Sequence, residues 1–293
     1  MSQVLVIAEK LGITGITPIE LSDGGNLIIH LAPHPFVARI ATVMSQETAD
    51  CAYRMLEREL EVARHLHSKG VPALLPADLI DAGPYRVGGT WMTLWQYAFP
   101  EPLAPPSPTE AIELVNGLSK AMKDFGDELP VLGVWERICQ SAVRLSKHTD
   151  QRVQALLNRF QKVDEQIRLD SSLLMPCHGD AHRGNLIPSP HGWIWSDFED
   201  VSRMPAYWDL ASFVGNLVLF GGTQEPTFRG IMDYIDNDME SQAFGFTLTA
   251  RILMSTIGNL DFALVGYGDL EFALKQLDLA EAFILNYEGS SQK

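Results

Sequence analysis

Between Glu101 and Pro108 the chain reads Glu-Pro-Leu-Ala-Pro-Pro-Ser-Pro, four prolines in eight residues. Each proline fixes φ and removes an amide donor, so neither a regular helix nor a central strand can run through. The stretch is a stiff connector, and the residue patterns on its two sides differ. Upstream, the runs Leu27–Leu31 and Phe36–Ile40 flank a Pro-His-Pro turn and predict a hairpin. From Glu47 to Lys69, apolar residues recur at Ala49, Ala52, Leu56, Leu60, Ala63 and Leu66, which is helical spacing closed by Gly70. Strand-like runs follow at Tyr85–Val87 and Thr90–Tyr97. Downstream, Ser107, Pro108 and Glu110 form an N-cap, a first helical position and a capping box. Beyond them the pattern is mostly helical, apart from a strand-and-turn island between Met175 and Asp197. The expectation is an α+β protein of two lobes: residues 1–98, β-rich with a hinge at their end, and residues 99–293, mainly helical.

Composition narrows the function. The 293 residues are 46% hydrophobic and 20% charged, and no run approaches the roughly 18 apolar residues of a membrane span. The opening residues lack the charge order and cleavage pattern of a secretory signal, so a cytoplasmic protein is expected. Cys51, Cys139 and Cys177 are widely spaced and odd in number, which fits apolar fillers and no disulfide framework. A formal charge of −15 without a basic run argues against nucleic-acid binding. That acidity can draw in a cationic substrate or serve solubility alone. No feature fixes the oligomeric state.

The chemistry concentrates in Cys177-His178-Gly179-Asp180-Ala181-His182-Arg183-Gly184-Asn185 and in Trp193-Ile194-Trp195-Ser196-Asp197-Phe198. Between them a Pro-Ser-Pro-His-Gly turn flanked by apolar residues predicts a short hairpin, returning Asp197 toward Asp180 and Asn185. Phosphoryl transfer needs positioned charge more than covalent help. An aspartate can orient an attacking hydroxyl and take its proton. An asparagine oxygen and a second aspartate can hold magnesium, a hard cation that prefers oxygen.

The segment His178–Asn185 resembles the His-Gly-Asp-x-His-x-x-Asn loop of the aminoglycoside phosphotransferase and choline kinase family. Ser196-Asp197-Phe198-Glu199 is similar to that family's metal-binding segment, and Pro205–Ala211 to the helix opening after it. The resemblance implies a protein-kinase-like fold and a small-molecule kinase using ATP or GTP with Mg2+. It implies Asp180 as catalytic base and Asn185 and Asp197 as metal ligands. His178, His182 and Asp209 would support the loop, Asp209 as a buried carboxylate bonded to its backbone.

Further upstream the match is looser. Ser22, Gly24, Gly25 and Asn26 stand where the family places its nucleotide loop, and Arg39 where kinases carry a phosphate-pairing lysine. Glu59 falls where that cation's partner is expected, and the hinge near Gln96 and Ala98 would meet the base. Glu199 and Asp200 would face a cationic acceptor. The implied partners are a nucleotide and a small hydroxylated compound, an aminoglycoside-like antibiotic, an amino alcohol or a sugar.

Plainer readings stand beside these. Gly24-Gly25 is also a common hairpin turn, with no Gly-Lys-Ser or Gly-Lys-Thr after it. Arg39 and Glu59 can be solvated charges, and Asp209 can be a helix-terminal charge. Asp180 and Asn185 can be turn formers, and His178, Asp180 and His182 can belong to a hydrolase metal site. A nucleotide-binding pseudokinase with a regulatory role is the alternative function.

Overall fold

A computed structural model of the chain describes residues 2–23, 25–41, 49–169, 171–238 and 241–291. The chain divides into two compact units, Met1–Ala104 with Gly184–Glu199, and Pro105–Arg183 with Asp200–Lys293. The first division falls inside the proline-rich connector. The segment Gly184–Glu199 belongs to the first unit, whereas the residue patterns grouped it with the mainly helical residues 99–293.

In the first unit a short helix α1 (Ser2–Lys10) precedes strands β1 (Thr17–Asp23), β2 (Asn26–Ala32) and β3 (Phe36–Ala41). Helix α2 (Ala49–Ser68) follows, then β4 (Tyr85–Val87) and β5 (Thr90–Gln96). The strands form one antiparallel sheet in the order β1-β2-β3-β5-β4. Its central strand β3 is buried at every position, as its flanking partners and the overlying helix require. The stripe at Leu56, Leu60, Ala63 and Leu66 is buried. Ala41, Met55 and Leu56 form one apolar cluster with Trp91 packed against it. Burying such a side chain is worth about 2 kcal/mol, so the helix is held by packing.

The second unit begins with α3 (Pro108–Met122), whose capping box is complete. The Glu110 amide donates to Ser107 Oγ at 3.3 Å, and the Ser107 amide to the Glu110 carboxylate at 2.9 Å. Helices α4 (Gly133–Leu145) and α5 (Gln151–Ile167) lead to β6 (Met175–Cys177). The chain then supplies the hairpin β7 (Leu186–Ser189) and β8 (Gly192–Trp195) to the first unit. Trp195 anchors it there, its amide donating to Pro72 O at 3.0 Å and its carbonyl accepting from the Leu74 amide at 2.7 Å.

Back in the second unit, β9 (Ser202–Met204) pairs antiparallel with β6, and the loop from His178 leaves this ribbon. Four helices complete the unit: α6 (Trp208–Gly221), α7 (Pro226–Asp238), α8 (Ser241–Leu264) and α9 (Leu270–Ser291). Helix α6 is buried nearly all round, the mark of a central helix. Among the described residues no helix is long and apolar enough to cross a membrane.

Candidate active site

The first unit holds a cavity of about 330 Å³. Side chains of a strand alternate between faces, which sets Val37 and Arg39 of β3 together, and both line this cavity. Glu59, Gln96, Ala98 and Asp197 line it too, with Leu21, Ile28, Leu74 and Ile187 as apolar walls. Ser22 ends up on β1 and Asn26 opens β2, with Gly25 in the bend between them; Gly24 lies outside the described residues. On this side Leu21 and Ile28, rather than Ser22, Gly25 or Asn26, bound the cavity. The Gln96 amide donates to Leu75 O and the Tyr97 amide to Pro35 O, both at 2.9 Å. The Gln96 N–H is therefore spent on the fold, and a hinge donor has to come from beyond Tyr97.

Arg39 is only 7% exposed, and a guanidinium so buried needs partners. It has three. Nη1 donates to both oxygens of Glu59 at 2.6 Å, and Nη2 to Asp197 Oδ1 at 3.1 Å and Glu199 Oε2 at 2.7 Å. Burial opposes the arginine's charge, and the carboxylates of Glu59, Asp197 and Glu199 overcome it, raising its pKa further. Burial pushes the Glu59 carboxyl up, with Arg39 pulling against that shift. Glu199 also accepts from Asn26 Nδ2 at 3.0 Å. Its carboxylate thus joins the start of β2 to Arg39 instead of standing open to an acceptor.

Asn185 closes a single 3-10 turn, Arg183–Asn185. Its carbonyl accepts from the Ser196 amide at 2.9 Å and from Ser196 Oγ at 3.0 Å, which pins it beside the residue preceding Asp197. Asp197 has φ +64°, a left-handed conformation that costs a non-glycine residue of order 1 kcal/mol. The donor set is an amide oxygen and a carboxylate, the hard ligands that magnesium takes. Among the described residues no three His, Cys, Asp or Glu side chains converge as a metal site. A magnesium ion here would draw its other ligands from phosphate and water, its usual manner of binding at nucleotide sites.

Asp180 lies in the second unit, on the loop between β6 and the 3-10 turn. Asp209, at the start of α6 and 1% exposed, accepts from the His178 amide through Oδ2 and the Gly179 amide through Oδ1, each at 3.1 Å. Burial raises the Asp209 carboxyl above its ordinary pKa, against His178 and these donors. Trp208 Nε1 donates to Gly179 O at 2.8 Å, and the Asp180 amide reaches His178 Nδ1 at 3.3 Å. The loop is therefore fixed through its backbone, independently of the contacts its Asp180 carboxylate makes. His182 Nε2 stands 3.3 Å from Asp180 Oδ2. Asp200 pairs with Arg137, so like Glu199 it already has a basic partner.

One residue at this loop has no counterpart in the sequence motifs. Arg251 of α8 bonds Asp180 Oδ1 through Nη2, Ser212 Oγ through Nε at 2.8 Å and Ser255 Oγ through Nη1 at 2.8 Å. Burial works against the Asp180 charge, but Arg251, then His182 and His178, hold its carboxyl well below the usual carboxylate range. A signal was present: Arg251 is the only charged residue between Ser241 and Leu260. A lone cation in an apolar helix is rarely buried without a partner.

The five-stranded antiparallel sheet of the first unit and the helices of the second are those of a protein-kinase-like α+β fold. No family model matches the sequence, and no curated protein matches it. Solved structures do. The choline kinase LicA from Streptococcus pneumoniae superposes with a TM-score of 0.65 at 14% identity, covering 96% of this chain and 98% of that one. An aminoglycoside phosphotransferase from Streptomyces rimosus, in complex with ADP and streptomycin, gives 0.59 at 16% identity over 87% and 97%. An amicoumacin kinase in complex with AMP-PNP and Ca2+ gives 0.66 at 12% identity over 96% and 94%. At such identities the likeness is one of fold, and the chemistry has to be argued from the residues.

Proposed function

We propose that this protein is a small-molecule kinase that transfers the γ-phosphate of ATP or GTP to a hydroxyl group, assisted by Mg2+. The acceptor oxygen would bond to the γ-phosphorus as the bond to the bridging oxygen breaks, and the nucleoside diphosphate would leave. The hydroxyl proton would pass to Asp180. Asn185 and Asp197 would hold the magnesium, which neutralises charge on the phosphates, and Arg39 would exchange a carboxylate for phosphate oxygens. The base would sit against the apolar walls of the first unit's cavity, with the Ala98 end of the hinge as donor.

The observation that carries this reading is the pinning of Asn185 to Ser196, beside Asp197, in the unit whose cavity contains Arg39 paired with Glu59. A cavity lined by Asp197 and a braced guanidinium, with Asn185 held to the residue before Asp197, suits phosphate chemistry. The neighbours with bound ADP or AMP-PNP support a nucleotide co-substrate. The streptomycin-bound neighbour and the choline kinase support an acceptor of the aminoglycoside or amino-alcohol kind, and a sugar is the remaining candidate. Glu199 and Asp200 already pair with Arg39 and Arg137, so a cationic acceptor would have to compete with those arginines for them.

The test is nucleotide consumption by the purified protein with aminoglycosides, amino alcohols, sugars and macrolides in turn, with magnesium and with chelator. Magnesium-dependent turnover with one class identifies the acceptor. Nucleotide binding without turnover on any of them would instead favour the pseudokinase.

A further inference from the structure

Arg251 is 6% exposed and extends from α8, a helix with no other charged residue before Asp261. A buried guanidinium in such a helix is costly unless each of its faces finds an acceptor. Two acceptors are hydroxyls on the helical framework: Ser212 of α6 and Ser255, one turn further along α8. These set the plane of the fork before the third contact is counted. The third is Asp180 Oδ1. The loop carrying Asp180 is separately fixed through its backbone by Asp209 and Trp208, so Arg251 is not required to hold the loop. Its added effect falls on the Asp180 side chain.

We propose that Arg251 is a positioning residue for phosphoryl transfer, gripping Oδ1 of Asp180 so that Oδ2 is presented in one orientation to the acceptor hydroxyl. The inference rests on the kinase reading above. Base catalysis of this kind depends on hydrogen-bond reach and alignment as well as on charge. A carboxylate with both oxygens free rotates between orientations of which few are productive. Here the two oxygens are distinguished: Oδ1 faces Arg251, and Oδ2 lies on the His182 side. The Asp180 side chain keeps 27% of its surface exposed, so a hydroxyl can reach it.

The experiment compares the parent with Arg251→Met and Arg251→Lys. Transfer from MgATP is measured with whichever acceptor the screen identifies and with water as acceptor. Arg251→Met should lower kcat about 100-fold, the scale of a lost catalytic alignment, while KM for MgATP stays within about two-fold. Arg251→Lys, which restores a cation on a flexible stem, should recover part of that loss. A folded Arg251→Met protein with the parent's kcat, or one whose loss lies in the KM for MgATP, overturns the proposal. Should Arg251→Met fail to fold, Ser212→Ala with Ser255→Ala loosens the fork and is read by the same split of kcat and KM. Carboxyl-carbon NMR of Asp180, assigned through Asp180→Asn, decides independently of turnover. Its resonance should move toward that of a free aspartate in Arg251→Met, and an unmoved resonance rejects the role. A parent without magnesium-dependent turnover defeats the kinase reading, while this spectrum still decides the Arg251–Asp180 relation.

Discussion

Arg39 Nη1 lies 2.6 Å from both carboxylate oxygens of Glu59, a buried pair joining the central strand of the sheet to the helix that covers it. The geometry forces one arrangement on a side chain that is otherwise long and mobile. Removing Glu59 leaves Arg39 with Asp197 and Glu199, so the charge survives while its placement degrades. Glu59→Ala should therefore raise the KM for nucleotide several-fold, Arg39→Ala should be worse, and the double variant should hardly exceed Arg39→Ala, because coupled residues are not additive. Steady-state kinetics on the four proteins measure the coupling. Cleanly additive losses would separate the two residues in function. Arg39→Lys should keep partial activity if charge suffices and lose it if the two-pronged grip is required.

Asp197 offers its oxygens from a left-handed backbone position, next to the residue that anchors Asn185. Activity should vanish with chelator and return with magnesium. Asp197→Ala should lower turnover on the order of 100-fold, the scale of losing one aligned electrostatic contact, and weaken binding of the metal-nucleotide pair. Calorimetry of MgATP binding checks this. Unchanged binding, or turnover restored by zinc alone, would assign the metal elsewhere.

Asp180→Asn tests the base. The amide keeps an oxygen for Arg251 but cannot take a proton, so turnover should fall about 100- to 10,000-fold with nucleotide affinity within a few-fold. The buried Arg251 guanidinium loses its counter-ion in this variant, so thermal melting should fall below that of the parent while the protein still folds. Near-normal turnover would remove Asp180 from the mechanism.

Much of this site was legible because local chemistry wrote it. The stripe from Ala49 to Leu66 placed Glu59 beside a buried face, and strand alternation placed Arg39 with Val37; the two side chains meet. The capping box at Ser107 and the hairpin before Asp197 were equally local. Strand β1 was not legible, because six of its seven residues are exposed and its apolar alternation is confined to Ile19 and Leu21. The joining of Gly184–Glu199 to the first unit depends on backbone bonds from Trp195 to Pro72 and Leu74, which no spacing rule reveals. The partners of Glu199 and Asp200 are likewise set by tertiary structure: a surface carboxylate and a salt-bridged one look alike in sequence. Arg251 and Asp180 are 71 residues apart. Only the isolation of that arginine in α8 hinted that a partner existed.

Gly179 is the residue at which the loop has least tolerance. Its φ is +88°, a region that side chains rarely adopt, so alanine there costs about 1–3 kcal/mol in backbone strain. A Cβ would also overlap the Asp200 carbonyl oxygen and lie 2.8 Å from its carbonyl carbon. Backbone cannot swing aside as a flexible side chain can, and such overpacking typically adds about 1–3 kcal/mol. The loop has little freedom to escape: the Gly179 amide donates to Asp209 and its carbonyl accepts from Trp208. Gly179→Ala should therefore lose about 4 kcal/mol of stability in denaturant unfolding, the strain and overlap costs combined. Gly25 supplies the control, since a Cβ there meets nothing within 4 Å and its φ is not in the left-handed range. Gly25→Ala should change stability by no more than about 0.5 kcal/mol. If Gly179→Ala were as stable as Gly25→Ala, the loop could not be bound to Asp209 and Trp208 and packed against the Asp200 backbone as described, and the placement of Asp180 would fall with it.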